Sequence, residues 1–348
     1  MKTRRMWIAV VAGLALGSGG VLPSAVLLAA QPMPANFVPP EQRNAAIRYL
    51  IAVSAMSPEV NSKIRLIEWK EIGDNVDPAK MPQAFNDLAK LPIDGVIQYT
   101  TEGSRMSRCN FENNYEAGVN TLIPQLGYLR QLARVLKFDA RLLQTQGKAD
   151  DAADRLLTMM RLASHVKQDG WFINVLMAAA IDKPAFDEIM VLSQSPKLSS
   201  AKRGELLAAL QTRDIPDPLN FSVAIETERR SIIAGLERDA AKPDGPKIIA
   251  EMLGDEPGAA KIAAMSSEEL RKQSAMLGPM YDQFTIALSP NTSDEQAAKI
   301  QDRVNAGEFG AMGAAFMPGV DGIRKNRDAY KANLAKAITA LKAAPASK

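Results

Sequence analysis

The chain has 348 residues, of which 47% are hydrophobic and 5% aromatic, a composition that supplies a sizeable core and favours helices over a β-sandwich. Its formal net charge of +3 equals the contribution of Lys2, Arg4 and Arg5, so the rest of the chain is formally neutral and lacks the basic charge of a nucleic-acid-binding protein. The single cysteine, Cys109, excludes an intramolecular disulfide, and the single histidine, His165, argues against a conventional zinc or copper site. We expect no metal and no cofactor.

The N-terminal segment has the features of an export signal. Three basic residues precede an apolar run over residues 6–16, and small residues follow as far as Ala30, a pattern typical of secretory signals. We predict a signal peptide over 1–30, followed by a flexible leader over 31–40, and an exported protein of the periplasm or cell envelope, or one that is secreted. The paired arginines leave both the general and the twin-arginine routes open. Without cleavage, residues 7–30 are long enough to anchor the chain in a bilayer.

Helical periodicity begins after this leader. Apolar spacing and the flanking proline residues predict helices over 41–56, 60–69 and 82–91. The next segment, 92–118, lacks helical periodicity and is predicted to be irregular or β-like. It is either a functional loop or a segment that lies across the surface. Cys109, which it contains, is expected to be buried as a small apolar residue.

The clearest pattern follows this segment. Apolar residues spaced by three or four from Leu122 to Leu143 predict one amphipathic helix, and a second apolar stripe runs from Ala149 to Ala163. The short connection at 146–148 makes the two an antiparallel hairpin. A third helix begins at Trp171, and Pro184 either bends it or starts a new one.

The second half of the chain continues in the same way. We predict an all-α fold, an array of antiparallel helical hairpins, with a helical domain over 41–241 and a linker over 242–246. The C-terminal helical region, 247–344, either shares the same core or forms its own. The later elements are predicted as helices over 199–210 and 220–239, capping-box helix starts at Ser266 and Thr292, an irregular stretch over 307–322, and a final helix over 323–343.

The hairpin resembles a tetratricopeptide unit. Small and bulky residues fall where such repeats place them, although no second copy follows at their period of about 34 residues. The positions concerned are Ala140, Gly147, Ala152, Leu156 and Met159.

The order of several short motifs over roughly residues 40–240 is similar to that in a group of exported helical proteins of unknown function from planctomycete-type bacteria. The resemblance implies an exported helical fold and brings no catalytic residues with it. The motifs are Asn44-Ala45-Ala46 with Tyr49, Cys109-Asn110-Phe111, the 125–166 hairpin and Glu228-Arg229.

Four residues are weak candidates for catalysis. Glu228 falls within an apolar helical stripe and therefore requires a partner, such as an arginine from another helix. This makes it either a structural ion pair or a functional carboxylate. His165 is either a cation near a helix C-terminus or a catalytic base. Glu102 and Glu112, in the irregular segment, are candidates for the paired carboxylates of acid–base hydrolysis.

One row of basic residues is a candidate binding surface. Arg130, Arg134, Lys137 and Arg141 lie on the polar face of the first hairpin helix. They are able to bind an anionic envelope polymer or an acidic partner. Alternatively, they form a solvated face paired with the nearby aspartates of 150–154.

These features favour an exported helical protein that binds another protein or an envelope component. The alternatives are a carboxylate-based hydrolase built around residues 94–116 and a structural envelope protein. We expect no nucleic-acid partner, and membrane contact only through an uncleaved N-terminal segment. A deep pocket containing Glu102, Glu112 and an arginine would favour the enzyme, whereas a groove beside the 122–166 hairpin would favour binding.

Overall fold

The structure, a computed structural model, describes residues 43–343 except 116, 118–120, 122, 255–257 and 317–318. The described part is all-α, with helices packed largely in antiparallel pairs and no β-strand, which confirms the predicted fold class. The described residues belong to one compact unit. None of the described helices has the length and apolarity needed to cross a membrane. The predicted signal peptide and leader lie outside the described residues.

Apart from the long connection between residues 104 and 125, short connections join the helices, with 3₁₀ turns at Ile64–Leu66 and Pro78–Lys80. In chain order they are α1 (Ala45–Ser54), α2 (Pro58–Lys63), α3 (Trp69–Ile72), α4 (Gln83–Leu88), α5 (Asp94–Ser104), α6 (Gln125–Thr145), α7 (Ala149–Lys167), α8 (Phe172–Ser193), α9 (Ser200–Gln211), α10 (Phe221–Ala240), α11 (Gly245–Leu253), α12 (Ala259–Ala263), α13 (Ser267–Ala275), α14 (Leu277–Leu288), α15 (Asp294–Asn305), α16 (Gly310–Phe316) and α17 (Val320–Ala343).

Serine side chains cap several helix N-termini. Ser199, Ser266 and Ser293 each accept a hydrogen bond from the backbone N–H three residues later, which satisfies a donor that the helix itself leaves unpaired. Glu269 completes the predicted capping box at Ser266. The helix predicted to start at Thr292 has Ser293 as its N-cap instead.

Helix α8 lies at the centre of the fold. It packs against α6, α7, α10 and α17, and buried residues occur around most of its circumference. The predicted hairpin of α6 and α7 lies beside it, closed by Gly147 with a φ of 72°, the left-handed conformation that glycine adopts most easily. Pro184 lies inside the continuous helix α8, where tertiary packing compensates for the hydrogen bond that proline removes.

The segment predicted to be β-like is helical in its first part. Residues 94–104 form α5, which packs closely against α1. At Gly103 a Cβ atom would lie only 2.9 Å from Cε1 of Tyr49, so the close approach of the two helices requires glycine there. The packing outweighs the β-propensity of residues 96–101, because strand preference depends strongly on context. The rest of the segment, 105–118, is irregular where it is described.

Two further connections differ in detail from the sequence prediction. The stretch 307–322, predicted to be irregular, contains helix α16. Within 242–246, helix α11 already begins at Gly245. Buried residues on both sides of that segment, among them Leu236 and Ile249, belong to one hydrophobic cluster.

A buried polar network joins α8, α9 and α17. The Asp182 carboxylate is fully buried. Its Oδ2 accepts hydrogen bonds from Arg213 Nε at 3.1 Å and from Tyr330 Oη at 2.9 Å. The Arg213 guanidinium also donates to the carbonyl of Met160 and the hydroxyl of Ser164. These bonds offset the free-energy cost of burying the charge. Removal of one partner is therefore expected to destabilise the fold.

We predict that Arg213→Met lowers the free energy of unfolding by about 3–5 kcal/mol, because it leaves the Asp182 carboxylate buried without its cation. Tyr330→Phe removes one hydrogen bond to the same oxygen and is expected to cost about 2 kcal/mol. Urea unfolding measures both values. The double variant Asp182→Leu with Arg213→Met is expected to regain most of the loss. Equal costs for the two single variants would contradict the assignment of Arg213 as the essential counter-charge.

Candidate functional site

A cavity of about 850 Å³, the large cavity, opens between residues 69–76, helix α6 and helix α8. Its volume lies in the range of small-molecule and cofactor pockets. It has apolar wall segments at Trp69, Val76, Met190 and Val191. The other lining residues are Lys70, Gly73, Asp74, Lys137, Arg141, Gln144, Asp187, Glu188, Gln194, Ser195, Pro196 and Ala340.

A buried ion pair lines the large cavity. Arg141 Nε lies 2.8 Å from Glu188 Oε2, and Arg141 Nη2 lies 2.9 Å from Glu188 Oε1. The two side chains are only 2% and 1% exposed. Arg141 Nη1 also donates to the carbonyl oxygens of Gly73 and Asn75, at 2.8 and 2.9 Å. This bidentate geometry fixes α6, α8 and the 73–75 loop relative to one another, so the pair shapes the cavity.

Lys137 lies beside this pair. Its Nζ is 3.8 Å from the centroid of the Trp69 ring and 3.6 Å from Glu188 Oε1, and its side chain is 14% exposed. Burial lowers the pKa of Lys137, while Glu188 acts in the opposite direction. The stacking of an ammonium group on an indole ring is a favourable cation–π contact, and it holds Trp69 in the cavity wall.

A second, smaller concavity adjoins the first. This arginine cleft, of about 130 Å³, shares Trp69 and Lys137 with the large cavity and is lined by Arg130 and Arg134. The predicted basic row on α6 is therefore divided between two sites. Arg141 lines only the large cavity, Lys137 lines both, and the two remaining arginines line the cleft.

His165 is a structural residue. Its Nε2 lies 2.8 Å from the carbonyl oxygen of Met106, and its Nδ1 lies 2.6 Å from Tyr49 Oη. Because a carbonyl only accepts, Nε2 carries the proton and Nδ1 accepts the tyrosine hydroxyl. Burial lowers the pKa of His165, which favours this neutral form. With both nitrogens engaged, the ring connects α1 and α7 to the loop at Met106.

Glu102 and Glu112 lie outside both concavities. Glu102, on α5, lies 3.5 Å from Arg48 Nε and accepts a hydrogen bond from Gln98. Glu112 is exposed and has a φ of 54°, in a turn where its N–H donates to Asn110 Oδ1 at 2.8 Å. The predicted deep pocket containing both carboxylates and an arginine is not formed by these side chains.

The irregular segment is attached to the helical core by specific side chains. Asn44 Nδ2 donates to the carbonyl oxygen of Asn110 at 2.7 Å, and Asn44 Oδ1 accepts from the Asn110 N–H at 2.9 Å. Asp169 accepts a hydrogen bond from Asn113 at 3.0 Å, and the ring of Tyr115 stacks on Trp171. These contacts favour the interpretation of 105–115 as a segment that lies across the surface.

Cys109, in the same segment, is buried, as the sequence predicts. Burial raises the pKa of its thiol to about 12. The side chain therefore lacks the thiolate character of a reactive cysteine.

Glu228 is partly buried beside the start of α8. Burial raises the pKa of its carboxyl to about 7. A hydrogen bond from the backbone N–H of Phe172 favours the charged form and therefore acts in the opposite direction. Within the described residues no basic side chain lies within ion-pair distance of it, so the predicted arginine partner is replaced by a backbone donor. The N–H of Phe172 belongs to the first turn of α8, where a helix leaves donors unpaired.

Trp69 and Glu188, on which the site depends, are not among the residues predicted from the sequence. Trp69 begins a helix of only four residues, too short to show periodicity. Glu188 does give a signal, because it is a carboxylate within the apolar stretch 185–192 of a buried helix, and such a charge requires a cation. The identity of that cation, Arg141, depends on the tertiary fold.

Comparisons with known proteins identify no relative. No protein-family profile matches the chain, and no curated protein and no solved structure is significantly similar to it. Its function is therefore inferred from the geometry of the site.

We predict that Glu228→Gln stabilises the protein at pH 8 and has little effect at pH 4. Because the folded-state pKa of about 7 exceeds the unfolded value, stability from the protonated carboxyl is fully present below the unfolded pKa. It is lost as the pH rises through about 7. The expected gain at pH 8 is on the order of 2 kcal/mol, since one pKa unit corresponds to about 1.4 kcal/mol.

Urea unfolding at the two pH values measures this effect. The control is Glu226→Gln, which removes a half-exposed carboxylate on the same helix, paired with Arg230 at 2.6 Å. The control is expected to show no gain at pH 8. An unchanged difference between Glu228→Gln and the wild type across the two pH values would show that Glu228 is not forced towards its neutral form.

Proposed function

We propose that this chain is an exported, non-enzymatic protein that binds a segment of another protein in the large cavity. The observation that carries the proposal is a cavity of about 850 Å³ whose wall combines apolar side chains with a buried, bidentate ion pair. A wall of this kind is held in place before the ligand arrives, which reduces the ordering cost of binding. It lies beside the α6–α7 hairpin, where helical packing leaves grooves suited to partner segments.

The arrangement of the carboxylates supports binding over hydrolysis. A hydrolase of the two-carboxylate type, as in most glycoside hydrolases, has a carboxyl group on either side of the reacting bond. Glu188 is engaged by Arg141 and Lys137, and Asp187 lies 3.1 Å from Lys183. The remaining acidic lining residue, Asp74, is exposed.

The resemblance of the hairpin to a tetratricopeptide unit agrees with this proposal as an analogy of architecture. The order of the motifs shared with exported helical proteins supports export, as does the basic and apolar pattern of residues 1–30. We place the protein in the periplasm or cell envelope on this basis.

We predict that a photo-crosslinking amino acid at Gln194, an exposed residue on the cavity rim, attaches the protein to a discrete partner in living cells. Gln296, an exposed glutamine on α15, is the matched control position and is expected to give no such product. Ala340→Trp, which places an indole at the cavity wall, is expected to remove the Gln194 product. Identical products from both positions, or no product from Gln194, would contradict the proposal.

The proposed export of the protein is tested separately. Cell fractionation is expected to recover the protein outside the cytoplasm. Its intact mass is expected to correspond to a chain that begins at Gln31, because the small residues before it match a signal-peptidase site. A cytoplasmic protein that retains residues 1–30 would refute export without bearing on the cavity.

A further inference from the structure

Two arginine side chains line the arginine cleft, and a third lies near them. Arg130 and Arg134 lie on successive turns of α6 and line the cleft together. Arg65 belongs to the 3₁₀ turn before α3, which packs against α6. Burial lowers the pKa of Arg134, and the charges of Arg130 and Arg65 act in the same direction. With Lys137 in the same wall, three cationic groups line the cleft and a fourth lies near it.

None of the three arginines has a carboxylate partner among the described residues. Arg65 has a hydrogen bond only to the Asn61 side chain, at 3.4 Å, and Arg134 only to Gln131, at 3.2 Å. Neither acceptor carries a charge.

Two of the three aspartates that were predicted to pair with this face have partners elsewhere. Asp154 lies 2.8 Å from Lys202 Nζ. Asp150 accepts the N–H of Ser199 at 2.8 Å. These two aspartates therefore do not form the predicted pairing with the basic row, while Arg130 is exposed, as on a solvated face.

These cationic groups are accessible to an anion. Arginine stays charged under all ordinary conditions, and Arg65 and Arg130 are exposed to solvent, so an external anion is able to reach them and to relieve their mutual repulsion. A guanidinium presents two parallel N–H donors that match a carboxylate. The neighbouring wall of the large cavity supplies apolar contacts through Trp69 and Met190 and hydrogen-bonding amides through Gln144 and Gln194.

We propose that the arginine cleft is an anion subsite of the large cavity and that the ligand is an acidic peptide segment. Its carboxylates pair with Arg65, Arg130 and Arg134, and its adjoining residues enter the cavity. A peptide suits both parts of the site, because it carries apolar side chains, backbone amides and carboxylates in close succession. The proposal rests on the function proposed above and specifies that the ligand carries negative charge.

Selection of a random heptapeptide phage library on the immobilised protein tests it. We expect enriched peptides that combine Asp or Glu with apolar residues. For a synthetic copy of the most enriched peptide, each of Arg65→Gln, Arg130→Gln and Arg134→Gln is expected to weaken binding about tenfold in calorimetry, and the triple variant more than about a hundredfold. Affinity is expected to fall as the salt concentration rises.

The matched control is Arg230→Gln, which removes an arginine that is 79% exposed on α10 and is expected to leave binding unchanged. The three cleft variants are expected to unfold at the wild-type urea concentration or above it, since like-charge repulsion is relieved. This separates loss of binding from loss of fold.

The outcomes separate the two proposals. Enriched neutral peptides that bind the triple variant normally, but not Ala340→Trp, would overturn the anion subsite and leave the binding function intact. If no peptide is enriched, both proposals fail. If inorganic polyphosphate binds the wild type but not the triple variant, and no peptide is enriched, the cleft recognises a phosphate polymer and the peptide proposal is overturned.

Discussion

Helix α8 is buried on most of its circumference, and it nevertheless carries two buried carboxylates, Asp182 and Glu188. A charge in such a position is tolerated only when a cation and further hydrogen bonds satisfy it. Each carboxylate receives an arginine from a different part of the chain, Arg213 from the turn after α9 and Arg141 from α6. The neighbours of α8 are therefore held at defined positions, and apolar packing alone would not specify them so closely.

This constraint also separates the basic residues of α6 into two kinds. Arg141 donates to one carboxylate and two backbone carbonyls, so its hydrogen bonds are largely committed within the protein. Arg130 and Arg134, two to three turns earlier on the same helix, have no such partner within the described part of the chain. One row of similar residues thus contains a structural cation at one end and cations available to a ligand at the other.

The sequence predicts the hairpin of α6 and α7 well, because a long apolar stripe with a three-to-four residue spacing has few other interpretations. The prediction of an irregular or β-like segment is wrong for α5. Its β-branched residues form a helix, because Gly103 lets α1 approach closely. The sequence places the basic row correctly on one helix face, but the division of that row depends on Glu188, which lies 47 residues from Arg141 along the chain. The predicted arginine partner of Glu228 is wrong for the same reason, since the actual partner is a backbone N–H that only the tertiary fold brings near.

A formally neutral chain does not have to be neutral locally. Many charged side chains outside the site have a close partner of opposite sign, such as Lys299 with Glu295 and Arg303 with Glu308, and exposed pairs of this kind contribute little to stability. Arg130 and Arg134 have no carboxylate partner among the described residues, and their mutual repulsion does not help the chain to fold. Two adjacent cations at the edge of a preformed cavity are in a position to meet an anionic group that enters it.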